Sequence, residues 1–351
     1  MGFTGVRVLV TGGAGFIGTA LAGSHAAQAA GWTVLDNLLP QVHAGRAPRL
    51  PDAVTLIEGD VRDPAAVGEA LATARPDVVI HLAAETGTGQ SLDEPSRHTD
   101  VNVTGTARLL EALTAAPPQQ VILASSRAVY GEGAWQDADG NTVYPGTRTA
   151  GMLAQRCWDF PGLSSLPSQA HRTCPNPSNV YGATKLAQEH LLTAWCASRG
   201  VRSAILRLQN VYGPGQSPTN PYTGITTLFL RIASQGQSLP VYEDGLIVRD
   251  FVFIDDVVRA IQAVSFGSDD ALLADVGSGS PQTILDMARI VAELVDAPEP
   301  VVTGQYRLGD VRSASVDISE VEWLFAGIAP VSLPQGLGEL LKWFRGDGST
   351  T

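Results

Sequence analysis

Lysine is almost absent from this 351-residue chain: of its 23 basic side chains only Lys185 and Lys342 are lysines, and the other 21 are arginines. Cysteine is scarce too. Cys157, Cys174 and Cys196 are odd in number and have no metal-ligand spacing, which argues against a disulfide framework or a metal site and predicts free thiols. No apolar run approaches the ~20 residues of a membrane-spanning helix. The opening "MGFTGVRVLVTGG" runs straight into a strand and a glycine turn, with no basic stretch leading into an apolar core. These absences predict a soluble, cytoplasmic protein with no membrane partner. Acidic residues are scattered along the chain and give a net charge of −12, and no basic cluster offers a track for a phosphate backbone. Nucleic acid is therefore not an expected partner, and an anionic substrate needs local arginines to offset the repulsive field.

Apolar residues make up 44% of the chain, enough for a large core in one large unit or two domains. Short β-branched runs alternate with alanine- and leucine-rich segments of helical length. "RVLVTGG", "WTVLDN", "AVTLIEGD", "DVVIHLAA", "QVILASS" and "SAILRLQN" read as buried strands. "FIGTALAGSHAAQAA", "PAAVGEALATA", "NVTGTARLLEALTAA" and "VYGATKLAQEHLLTAWCASRG" read as the helices between them. That alternation predicts an α/β fold, a Rossmann-type doubly wound parallel sheet with ligands at the strand ends.

The stretch 131–178, rich in Gly, Pro, Ser and polar residues, breaks the rhythm and reads as an insertion over the active site. After Val211 the pattern turns irregular, with helices expected around Ile225–Ser234 and in "QTILDMARIVAELV". The expected division is a nucleotide-binding domain of residues 1–212 plus 247–266, carrying the insertion, and a smaller substrate-binding domain of 213–246 plus 267–345.

"VLVTGGAGFIG" places Gly12, Gly13, Gly15 and Gly18 between a strand and a helix, where missing β-carbons let a pyrophosphate approach the helix N-terminus. Asp36 closes the next strand, placed to accept hydrogen bonds from an adenosine ribose and to repel a 2′-phosphate, which favours NAD over NADP. Asp60 ends the third strand, where it either meets adenine or serves the turn. In "NVYGATK", Tyr181 and Lys185 stand four apart on a helix face, so the ammonium is expected to lower the phenol's pKa. Ser125 and Ser126 end the fifth strand. Tyr181 would take a proton from a substrate hydroxyl, Lys185 would assist it and hold the nicotinamide ribose, and Ser126 would orient the reacting oxygen.

With these motifs in order, joined by "HLAAETG", "NVTGT", "SSRAVYG", "NVYGPG", "RDFVFIDDV" and "RLGDVR", the chain resembles the extended short-chain dehydrogenase/reductases of the nucleotide-sugar epimerase and dehydratase family over nearly its whole length. The resemblance implies an NAD-dependent isomerase acting on a nucleotide-diphosphate sugar, working as a homodimer, with Ser126, Tyr181 and Lys185 at the reacting centre. It implies cofactor contacts from Gly12, Gly15, Phe16, Ile17, Asp36, Asn37, Asp60, Val61, Leu82, Ala83, Ala84, Asn102, Tyr181 and Lys185. Substrate contacts are implied for Thr86, Ser126, Arg127, Asn210, Arg249, Arg307 and Asp310, the arginines suiting phosphate oxygens.

The chain departs from the 4,6-dehydratases, which carry Thr-Asp-Glu where it has Ser126-Arg127-Ala128; the acid and base for eliminating water are missing, and 4-epimerisation is the expected reaction. Gln209 stands where relatives often have an aromatic residue. "AAETGTGQS", "VYGEG" and "GPGQSPTNPYTG" are similar to the dTDP-L-rhamnose 4-epimerase-like branch, although the insertion lacks the paired cysteines of that branch. UDP-sugar 4-epimerisation, nucleotide-sugar reduction or decarboxylation, and non-catalytic NAD binding are the alternatives.

Overall fold

In strand β1, Arg7–Thr11, Val8 and Val10 point to one side and Leu9 to the other, and all three are buried. A strand apolar on both faces needs a layer of helices on each. The computed structural model, which describes residues 2–43, 48–217, 224–265 and 270–346, builds that arrangement. β1 is joined by β2 (Gly31–Asp36), β3 (Val54–Glu58), β4 (Val78–His81), β5 (Gln120–Ser126), β6 (Arg202–Leu208) and β7 (Ala271–Val276) in a seven-stranded parallel sheet, ordered β7-β6-β5-β4-β1-β2-β3.

Val8, Val10, Trp32 and Val34 pack against helix α1, Phe16–His25, and against Val257 and Ile261 of the helix Ile254–Val264. On the other face Leu9, Leu35 and Val79 meet α2 (Pro64–Ala74), α3 (Gly105–Leu113) and α4 (Val180–Arg199). The direction of strand addition reverses between β1 and β4, opening a crevice at their carboxyl ends.

The helix ends follow local chemistry. Asp63 caps α2 by accepting from the Ala65 amide, with Pro64 in the first turn, and Asn179 caps α4 by accepting from Gly182. "FIGTALAGSHAAQAA" is helical only to His25 and continues as a 3-10 turn, Ala26–Gln28. "NVTGTARLLEALTAA" opens not as α-helix but as a π-helical turn, Asp100–Thr104, within which the Asn102 side chain binds the backbone of Glu85.

β7 was not legible as a strand. It lies within the 267–345 segment expected for the smaller domain, yet it pairs with β6 in the large sheet. A third apolar cluster joins the helices Ile225–Ala233, Ile284–Leu294 and Leu333–Arg345, with Phe229, Met287 and Leu337 at its centre. The insertion is more ordered than its composition suggested: Trp135–Gln136, Thr142–Val143 and Ser164–Ser165 form a small antiparallel sheet beside a short helix, Ala150–Ala154. Residues 218–223 of "GPGQSPTNPYTG" and the expected boundary at 266–267 lie outside the described residues.

Candidate active site

The crevice between β1 and β4 is floored by the glycine turn. Gly12 has φ +68°, and a β-carbon there would stand 2.6 Å from the Ala83 amide nitrogen, so only glycine lets the turn and the Leu82–Ala84 segment close together. Gly15 is the N-cap of α1 and carries no capping side chain, and no acidic residue occupies the first turn. A β-carbon on Gly15 would press on the Gly12 carbonyl at 3.2 Å and meet no other atom within 4 Å, so beyond that carbonyl this face of the turn is clear. An uncapped, open helix N-terminus, with Phe16 and Ile17 in its first turn, suits a pyrophosphate.

Asp36 stands at the end of β2, buried, its two carboxylate oxygens accepting from the amides of Ala14 at 3.0 Å and Leu38 at 2.9 Å. It braces the glycine turn and the next strand end together. These features fit an adenine dinucleotide. Asp60 is engaged otherwise: Arg62 grips both its oxygens at 2.9 and 2.8 Å, and Asn37 donates at 3.0 Å. The Arg62 guanidinium holds the Asp60 carboxyl down at about 2. Of its two sequence readings, the turn role is the one its contacts serve. Val61 beside it is buried in the core.

Asn102 is fully buried. Its oxygen accepts from Glu85 N at 2.8 Å, and its amide donates to Glu85 O at 3.0 Å and Thr184 Oγ1 at 2.9 Å. It thereby ties the strand β4 exit to the face of α4 between Tyr181 and Lys185. Thr86, one residue past Glu85, is exposed.

Helix α4 begins hard against the 3-10 turn Arg127–Tyr130: a β-carbon on Gly182 would fall 2.4 Å from the Ala128 carbonyl oxygen. That approach brings Tyr181 to the end of β5, where the Ser126 side chain is near enough to lower the pKa of its phenol. The two serines separate here. Ser125 donates to Glu189, whereas Ser126 is the one at Tyr181 and also accepts from Ala128 N at 3.2 Å.

Burial pushes the Tyr181 pKa up, and the Ser126 bond and the Arg127 charge oppose it. Burial brings Lys185 down to about 7, with Glu189 pulling the other way. This corrects the expectation that Lys185 lowers the phenol's pKa. The cation that lowers the pKa of that phenol is Arg127.

Arg127 donates from Nε to Asn210 Oδ1 at 2.8 Å. Burial and the neighbouring Arg249 lower its pKa to about 9, which still leaves it charged at neutral pH. Arg249 donates to Asp310 Oδ1 at 2.6 Å and to the Val248 carbonyl at 2.7 Å. Arg127, Asn210, Arg249 and Asp310 thus form one polar arm leading from the reacting centre. Arg307 is exposed and stacks over Tyr242, 5.3 Å from the ring centroid, rather than joining that arm.

Sequence reasoning missed three contributors. Glu189 lies one turn beyond Lys185, a spacing that could have flagged it, and Arg207 binds it at 3.0 and 2.7 Å. Ser91, whose hydroxyl accepts from the Tyr181 amide at 3.1 Å, had no local signal. Among the described residues no group of three or more His, Cys, Asp or Glu side chains could hold a metal ion, and no helix is long and apolar enough to cross a membrane. Cys157, Cys174 and Cys196 are unpaired.

The family model described as the NAD dependent epimerase/dehydratase family matches residues 8–154 and 160–267. A dTDP-L-rhamnose 4-epimerase of Burkholderia thailandensis is 53% identical, covering 97% of this chain and 95% of that protein. A UDP-glucose 4-epimerase of Mycolicibacterium smegmatis is 30% identical, over 97% of this chain and 99% of its own. Among solved structures, the UDP-glucose 4-epimerase of Thermotoga maritima with UDP-glucose aligns with a TM-score of 0.80 at 29% identity, over 97% of this chain and 99% of that one. That of Thermus thermophilus in complex with NAD gives 0.77 at 29%, with the same coverage.

Proposed function

Because this chain belongs to the NAD dependent epimerase/dehydratase family, we propose that it is an NAD-dependent nucleotide-sugar 4-epimerase acting on a dTDP-deoxysugar such as dTDP-L-rhamnose. The observation that carries the reading is the convergence of Ser126, at the carboxyl end of β5, with Tyr181 and buried Lys185 on helix α4, which starts hard against the turn after Ser126. The choice of sugar rests on the likeness to the Burkholderia enzyme.

Bound NAD supplies the reversible oxidation of C4. The residues of the chain supply the rest. Ser126 orients the C4 hydroxyl, and Tyr181 takes its proton and later returns it to the opposite epimer. A guanidinium at Arg127 stabilises the phenolate while the proton is held there. Gly12, Gly15, Phe16, Ile17 and Asp36 hold the cofactor, and Lys185 holds its ribose beside Tyr181. Arg249 and Asp310, with Asn210 and Arg307, take the nucleoside diphosphate.

Among the described residues, the carboxyls nearest the reacting centre are engaged and not free to assist elimination of water. Glu132 is bound by Arg148 and Arg312, and Asp310 by Arg249. The reading keeps the expectation of a cytoplasmic homodimer, which sedimentation of the purified protein and cell fractionation test.

Nucleotide sugar deuterated at C4 gives the decisive test. Epimerisation within one site yields C4-inverted product that keeps its label. Appearance of the label at C6, or its loss to solvent, overturns the assignment.

A further inference from the structure

Arg148 comes from the 131–178 insertion, yet its side chain is only 1% exposed. Its Nε donates to Glu132 Oε1 at 3.2 Å, and its Nη1 donates to Glu243 Oε2 at 2.8 Å and to the Trp158 carbonyl at 3.1 Å. Its Nη2 donates to the Asp310 carbonyl at 2.8 Å. One guanidinium thus joins the insertion, the turn at Glu243 and the Arg307–Asp310 turn.

The bond to Asp310 reaches the polar arm directly, since the carboxylate of Asp310 holds Arg249. The backbone of Arg249 hangs from the insertion as well. Glu132 Oε2 accepts from the Arg312 amide at 2.8 Å, just before the strand Ser313–Ala314, and that strand pairs in parallel with Val248–Arg249. Arg312 repeats the linkage by binding Glu243, Asp244 and Asp159. The inner side of the insertion is committed to this buttress.

We propose that Arg148 is a positioning residue for nucleotide-sugar binding, and that the insertion is a strut setting Asp310 and Arg249 through it. The inference rests on the reading that Arg249 and Asp310 take the nucleoside diphosphate. Arginine suits the position because its planar fork satisfies two carboxylates and two carbonyls at once, and the three rotatable donors of a lysine on a different stem do not reproduce that fork.

Arg148→Lys keeps a cation beside Glu132 and Glu243 and gives up the fork. On NAD-loaded protein, the Kd for dTDP and for UDP, titrated calorimetrically, rises about tenfold or more, as expected for loss of a charge-assisted hydrogen bond. KM for the nucleotide sugar rises with it, while kcat and NAD content hold. Arg148→Met with Glu243→Gln removes a cation and an anion together and gives the same rise.

Wild-type Kd in either folded variant overturns the strut, as does a fall in kcat at unchanged KM. Unfolding of both variants also overturns it, by making Arg148 a purely structural residue. The diphosphate titration does not depend on turnover. Weakened binding in Arg148→Lys therefore supports the strut even in a protein that epimerises no sugar, an outcome that would defeat only the functional reading.

Discussion

The Arg207 guanidinium closes on both carboxylate oxygens of Glu189, at 3.0 and 2.7 Å, one helical turn beyond Lys185. Both residues are buried, and Glu189 is what raises the Lys185 pKa against desolvation. Glu189→Gln leaves a buried cation short of its partner and is expected to cost about 3–5 kcal/mol in denaturant unfolding. The same change drives Lys185 further below about 7. A lysine depressed from its unfolded value of 10.5 binds fewer protons in the folded state, so stability rises with pH from about 7 to 10.5. In Glu189→Gln that rise begins at lower pH. Unfolding curves between pH 5 and 10 check it, and an unchanged starting point would sink the coupling.

Removing the Tyr181 hydroxyl as Phe is expected to lower turnover by about 10²–10⁴ and to leave NAD content intact. Ser126→Ala removes one of the two influences that lower the phenol's pKa and moves the Tyr181 titration to higher pH. Tyrosinate absorbance against a Tyr181→Phe reference reads it directly. Near-native turnover in Tyr181→Phe rules out its proposed role.

Gly15 sits in extended backbone, φ −74° and ψ −177°, and a β-carbon there would press on the Gly12 carbonyl at 3.2 Å and on no other atom within 4 Å. Gly15→Val is expected to lose some thermal stability through its contact with the Gly12 carbonyl, to remain folded, and to purify without NAD, because the new side chain occupies the approach to the helix N-terminus. Nucleotide released on denaturation is the measurement. A variant that retains NAD removes this face from the cofactor site.

His81 is pressed between Thr11 and Thr106, with ring nitrogens 2.6 and 2.8 Å from their hydroxyls. Burial and the Lys185 charge push its pKa to about 3. The unfolded chain therefore binds the extra proton first. Stability falls as pH drops from 6.5 toward 3, by at most ~1.4 kcal/mol per pH unit from this group. Asp275, raised by burial to about 6, acts oppositely over part of the window, so the comparison is with His81→Gln. That variant should show a shallower acid slope, and equal slopes would remove His81 as the cause.

The six early strands and the glycine turn were legible because each is a local pattern: a β-branched apolar run, then residues with no side chain where a helix begins; β3 differs from the expected buried strand in lying at the sheet edge, with Ile57 buried and Thr55, Leu56 and Glu58 exposed. Tyr181 and Lys185 were legible from helical spacing. Ala271–Val276 was not. Its run is six residues in irregular surroundings, and only pairing with β6 makes it a strand. The Ser91 contact to Tyr181 spans 90 residues and depends wholly on the fold. The effect of Lys185 on Tyr181 was misread for a different reason. Spacing gives proximity, but burial and the approach of Arg127 from the end of β5 set what acts on the phenol, and neither is written in the stretch around Tyr181.

The position of β7 in the sheet also fixes an order of events in time. Its partner β6 ends at Leu208, and β7 begins only at Ala271, beyond the segment that carries Asn210 and Arg249 of the polar arm and part of the third apolar cluster. At synthesis rates of about 5–20 residues per second, a nascent chain holds the outer edge of β6 bare for seconds before its neighbour emerges. An unpaired apolar strand is a template for pairing with other chains. Ribosome pausing anywhere between those two strands would lengthen that exposure, so the yield of folded protein becomes a matter of translation speed across residues 209–270.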